Sequence, residues 1–122
     1  MDIRTRIAAA AALFGATAVG CGAFAAHGLR AVLDPQALGW WETAATYQMW
    51  HALALLALAA APVKRAAVPA LLFGAGILIF SGSLYLMALS GLRWIGAVTP
   101  IGGSLLIAGW TALLWQAMRS RD

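Results

Sequence analysis

Charge is what this sequence has least of. Only 10% of its 122 residues are Asp, Glu, Lys or Arg, and only four are acidic: Asp2, Asp34, Glu42 and Asp122. Soluble domains carry about 25% charged and about 45–50% apolar residues. A hydrophobic content of 63% and a mean hydropathy of +0.85 therefore exclude a soluble globular fold. The shortage of carboxylates leaves no acid to orient a histidine base. With no nucleophile-elbow motif either, Ser81 or Ser104 beside His51 makes no catalytic set, and none is assigned. The single cysteine, Cys21, permits no intrachain disulfide. Without a Cys pair or an HExxH motif, His27, His51 and Glu42 have no metal-ligand spacing, and neither a metal nor another cofactor is expected.

What is present instead is a series of long uncharged runs. A hydrocarbon core of about 30 Å needs about 20 helical residues to cross it. Four runs meet that length: residues 7–29, 43–63, 66–92 and 94–118. Short connections between them predict an all-α, integral membrane four-helix up-down bundle in one transmembrane domain. The net charge of +4 is no nucleic-acid signal, because the basic residues stand in pairs at span ends rather than along one face. Arg4 with Arg6, Lys64 with Arg65, and Arg119 with Arg121 fall on one side. Arg30, Arg93, Asp34 and Glu42 fall on the other. The positive-inside rule then predicts that both termini are cytoplasmic. Trp40, Trp41 and Trp94 are expected at the outer interface and Trp115 near the inner one.

The first run also has a basic start and an Ala-x-Ala at Ala23 to Ala25, and "AVGC" ending at Cys21 weakly resembles a lipoprotein box. A cleavable apolar core is only about 7–15 residues long, so a retained span is the expectation. Ala8, Ala12, Ala16 and Gly20 form a small-residue stripe that would admit a neighbouring helix, although alanine is also simply a good helix former. Asp34 followed by Pro35 reads as a helix start, and Glu42 as a carboxylate in the first turn of the second span.

Counted by depth, the polar residues converge. Thr43, Tyr47 and His51 are four apart, and Gln48 is three before His51, so these four share a face in the outer half of span two. Ser81, Ser83 and Tyr85 in span three, Thr99 and Ser104 in span four, and His27 in span one lie at similar depth. The inner halves are apolar except for Thr17, Thr111 and Gln116. Pro100, with Gly102 and Gly103, predicts a kink or short break within span four. His51 as a neutral, hydrogen-bonded imidazole holding helices together competes with His51 as part of a site, the default reading of an intramembrane ionisable group.

"GAFAAHGL" (22–29), residues 40–51, "FSGSLYLMAL" (80–89) and "TPIGGSLLIAGW" (99–110) together resemble the YgdD/YwdK-like family. These are small bacterial inner-membrane proteins, catalogued as a domain of unknown function, with a small animal transmembrane relative. The likeness covers nearly the whole chain. It implies four membrane helices in a bacterial inner membrane and no assigned activity. The matching residues are Gly22, His27, Thr43, Tyr47, Gln48, His51, Ser81, Gly82, Ser83, Tyr85, Thr99, Pro100, Gly102 and Gly103. Ala25 stands where the pattern usually has Gly, and Glu42 lies outside it.

The resulting expectation is a non-enzymatic membrane protein whose outer-half polar cluster binds a small polar molecule or a lipid headgroup. Its expected partners are membrane lipids and either a second copy or another membrane protein, not nucleic acid. A structural accessory subunit and an oligomeric small-solute channel or transporter are the alternatives. For the last, the break at Pro100 would be the moving element.

Overall fold

The computed structural model describes residues 1–120. It contains α1 (Ile3–His27), a 3-10 turn (Leu29–Ala31), α2 (Pro35–Ala60), α3 (Ala67–Ser90), a second 3-10 segment (Arg93–Ala97) and α4 (Thr99–Arg119). Among the described residues there is no strand. α1, α3 and the segment from Arg93 to Arg119 are each long and apolar enough to cross a membrane. α2 is as long, at 26 residues, but Gln48 and His51 dilute its apolar content while facing inward.

The helix limits follow from their caps. Asp2 Oδ1 accepts from Thr5 N at 2.8 Å, so α1 begins four residues ahead of the expected span. Asp34 Oδ1 accepts from Ala37 N at 2.8 Å and Pro35 opens α2, as the dipeptide predicts. No breaker follows before Ala61, so this helix and span two are one element. α2 thus starts eight residues earlier than residue 43, and Glu42 is exposed in its interior rather than in a first turn. At the far end of α2, Arg4 Nη1 donates to the carbonyls of Leu58, Ala59 and Ala61. A cation is favoured at orphaned C-terminal carbonyls. α3 closes on Gly91, whose φ of 72° is the left-handed conformation that glycine adopts without penalty.

The helices run up and down in the order expected, but the ring is not closed. α2 and α3 pack on each other, α1 leans mainly on α2, and α4 leans on α3, with no substantial interface between α1 and α4 among the described residues. The core near the chain termini joins Ile7 and Ala11 of α1, Leu55 and Leu58 of α2, Phe73 and Ile77 of α3, and Leu106 of α4. α1 buries Ile7, Ala11, Ala18 and Ala25. The small-residue stripe is therefore rotated away from the bundle: Ala12, Ala16 and Gly20 are exposed and Ala8 is half-buried. Ala25 is buried in the position where the family pattern favours Gly, so its methyl is accommodated.

α4 departs furthest from expectation. Residues 93–97 are a 3-10 segment, and Pro100 lies in the first turn of α4, where its missing N–H breaks no intrahelical bond. The interruption lies ahead of Pro100, and the proline starts a helix instead of kinking one. Gly102 then serves close approach: a Cβ there would overlap the backbone of Phe80.

Candidate functional site

α2 positions the polar residues, and they use its buried stripe of Trp41, Ala44, Gln48, His51 and Leu55. Gln48 is almost fully engaged. Its amide nitrogen donates to Phe14 O at 2.9 Å and to Thr17 Oγ1 at 2.7 Å, while its carbonyl oxygen accepts from the Tyr85 hydroxyl at 2.8 Å. One side chain on α2 thereby ties α1 to α3. Beside it, Ser81 Oγ donates to Ala44 O at 2.8 Å. Toward the α1–α2 turn, Trp41 is buried, and its indole donates to Cys21 O at 2.8 Å.

His51 makes the connection to α4. Trp110 Nε1 can only donate, so its 3.0 Å bond makes His51 Nε2 an acceptor. Nδ1 then carries the proton, donated to Tyr47 O at 2.7 Å. The imidazole is held as one neutral tautomer with both nitrogens occupied. Phe73 packs against both rings, with centroids 5.4 Å from His51 and 5.0 Å from Trp110. Ser83 and Thr99 share a 2.6 Å hydroxyl contact that joins α3 to the start of α4.

The expected cluster is thus distributed rather than gathered. Gln48, Ser81 and Tyr85 belong to one network, His51 to a second, and Ser83 with Thr99 to a third. Ser104 is exposed and bonds to Pro100 O within its own helix. His27 and Thr43 are exposed, and Tyr47 sits at the bundle margin, packing at a tilt on Phe80 with centroids 4.8 Å apart. The shared face of Thr43, Tyr47, Gln48 and His51 therefore splits, the first two flanking the stripe that the other two enter. The depth shifts as well. Gln48 is the fourteenth of the 26 residues of α2, so the network lies near mid-helix and recruits Thr17, assigned by depth to the apolar half.

Two lateral openings flank these networks. A cleft of about 240 Å³ between α1 and α3 is lined by Phe14, Thr17, Cys21, Gln48, Ser81 and Tyr85. A larger groove of about 670 Å³ between α2 and α4 is walled by Tyr47, Trp50, His51, Phe80, Leu106 and Trp110. Among the described residues, no three His, Cys, Asp or Glu side chains stand close enough to hold a metal ion.

Comparison with known proteins agrees with this architecture. Residues 21–103 match the family described as a protein of unknown function (DUF423). The chain belongs to this family. It is 50% identical over 107 residues to a UPF0382 membrane protein of Staphylococcus saprophyticus, covering 84% of this chain and 88% of the relative. It is 41% identical to a UPF0382 membrane protein of Haemophilus influenzae, covering 91% and 92% of the two chains. It is also 41% identical to the UPF0382 inner membrane protein YgdD of Escherichia coli, covering 89% and 86%. Together with the apolar helices, this makes the chain a multi-pass inner-membrane protein. No solved structure matches it.

Proposed function

We propose that this family member is a non-enzymatic accessory subunit of a membrane assembly, with both termini cytoplasmic. Its intramembrane polar residues fix the helices, and its apolar outer faces meet partner helices. The observation that carries this reading is the engagement of Gln48 and His51 by the chain's own groups: both nitrogens of His51 and both ends of the Gln48 amide are occupied. A ligand would have to displace bonds already made. Interhelical hydrogen bonds in bilayers average about 0.6 kcal/mol, enough for several to orient helices together.

A second reading, binding of a small polar molecule or lipid headgroup, is favoured by the open cleft between α1 and α3, where Thr17, Gln48, Ser81 and Tyr85 meet. Native mass spectrometry of gently purified wild type beside Gln48→Leu and His51→Ala separates the two. The accessory reading expects lowered thermal stability in both variants and no small molecule lost from either. A polar ligand held by wild type and released by Gln48→Leu would overturn it in favour of the cleft.

A further inference from the structure

We infer that the end of the bundle bearing both termini holds an anionic phospholipid, with its headgroup at Arg65 and Arg119 and one acyl chain in the groove between α3 and α4. This site is separate from the polar networks around α2, and it stands or falls independently of the accessory role. The groove has a volume of about 680 Å³ and is lined by Val68 of α3 and by Ile107, Thr111 and Trp115 of α4, with Arg65 and Gln116 at its terminal end. Its walls are mainly apolar along the helix axis, the hydroxyls of Ser104 and Thr111 being bonded to carbonyls of their own helix, and its mouth is basic. An amphiphile with one negative headgroup has that distribution in reverse.

Two further features mark the mouth as a place for an anion, and a third fixes its geometry. Arg119 lies over the Trp115 ring, 4.5 Å from its centroid, so the indole that walls the groove also anchors a guanidinium beside it. The N-terminus of α3 has no side-chain cap and no acidic residue in its first turn, so the positive end of a 24-residue helix has no side-chain counter-charge next to Arg65, although Val68 N–H is taken by Arg65 O and Pro69 has none to give. Gln116 donates to Arg65 O at 3.3 Å, which fixes the α2–α3 turn to the end of α4, while its own carbonyl oxygen is buried without a donor.

The opposite end offers no such fit. There Arg93 already donates to Gln36 Oε1 at 2.7 Å, and Asp34 and Glu42 bring negative charge. On the terminal end, Arg4 is likewise consumed by the α2 carbonyls and Arg6 stands on exposed α1, leaving Lys64, Arg65 and Arg119 beside the groove to attract an anion. Basic residues at the ends of membrane helices select anionic lipids by this combination of charge and groove.

The test is native mass spectrometry of the full chain in detergent, offered an equal mixture of phosphatidylglycerol and phosphatidylcholine with identical acyl chains. Wild type is expected to retain one phosphatidylglycerol with about tenfold preference, equivalent to about 1.4 kcal/mol. Arg65→Gln with Arg119→Gln should abolish the preference. Arg6→Gln, on exposed α1 away from the groove, should leave it unchanged. Ala112 also walls the groove, so Ala112→Trp should expel the lipid by filling it while leaving every charge in place, and it decides the matter if the double variant fails to fold. Equal retention of both lipids, equal loss in Arg6→Gln, or continued binding in Ala112→Trp would each overturn the proposal. So would displacement of the lipid by millimolar inorganic phosphate, which would make the mouth a free-anion site.

Discussion

The two seams on either side of α3 are built on opposite principles. Against α2 it is joined by side chains that reach across, Ser81 to Ala44 O and Tyr85 to Gln48. Against α4 it is joined largely by side chains that are missing: Gly102 sits on the Phe80 backbone, Gly76 against Leu106, and Gly109 against the Phe73 ring, where a Cβ would come within 2.6 Å of Cε1. In a bilayer neither seam gains from the hydrophobic effect, since lipid is as apolar as leucine, so contact must come from hydrogen bonds or from close backbone approach. The first kind tolerates a lost atom, whereas the second does not tolerate an added one.

The sharpest way to break this contrast is Gly102→Leu. The obstacle is backbone rather than a mobile side-chain tip, so α4 must move as a body, and the cost should lie at or above the upper end of the about 1–3 kcal/mol typical of overpacking. Thermal unfolding in detergent, with the accessibility of cysteines introduced singly along α4 as a local reporter, should show both lower stability and a displaced helix. Stability equal to wild type would mean the α3–α4 seam is not held by close approach.

Next in size is Gln48→Leu, which removes three hydrogen bonds at once while keeping volume. At about 0.6 kcal/mol each, the loss should be about 2 kcal/mol. The double-mutant cycle with Tyr85→Phe assigns the share that belongs to the α2–α3 bond. A coupling indistinguishable from zero would remove hydrogen bonding as the basis of that seam. Trp110→Phe should cost less, about 1 kcal/mol, because it breaks one bond and leaves His51 Nε2 as the only orphan. Its signature is a change in the imidazole nitrogen resonances of His51. Unchanged resonances would show that the indole never donated to Nε2.

These seams also explain what could be read in the sequence. The four helices were legible because a bilayer imposes length and apolarity on every span, and Asp34–Pro35 announced its helix correctly. That this helix continues into span two was not legible from a charge count, because Glu42 looked like a boundary. The residue types of the polar cluster were legible, but their partners were not. Phe14, Cys21, Ala44 and Tyr47 take part through main-chain carbonyls, which leave no mark on residue identity. The roles of Trp41 and Trp110 as hydrogen-bond donors within the bundle were not legible either, since a membrane tryptophan is read first for interfacial depth and Trp110 was given no partner. Pro100 was seen as a break in a helix, whereas it starts one. The close approach that Gly102 and Gly103 suggested is found at Gly102, but which helix would lie against it was not legible.

The smallest effect belongs outside both seams, at the start of α1, and it tests whether local capping adds anything to helices ordered mainly by packing. The bond from Thr5 N holds the Asp2 carboxyl below its ordinary value of about 3.8. A carboxyl lowered in the folded state contributes stability that is present above the unfolded value and is lost as pH falls through the folded one. The protection this cap gives the Thr5 and Arg6 amides should therefore stay constant between pH 7 and 5 and decline below about pH 4. Asp2→Asn keeps a competent N-cap without a titrating group, so its protection should show no such decline, while Asp2→Ala should be less protected at every pH. Identical low-pH profiles for wild type and Asp2→Asn would show that the carboxylate charge is irrelevant there, leaving the α1 end fixed by Arg4 on the α2 carbonyls alone.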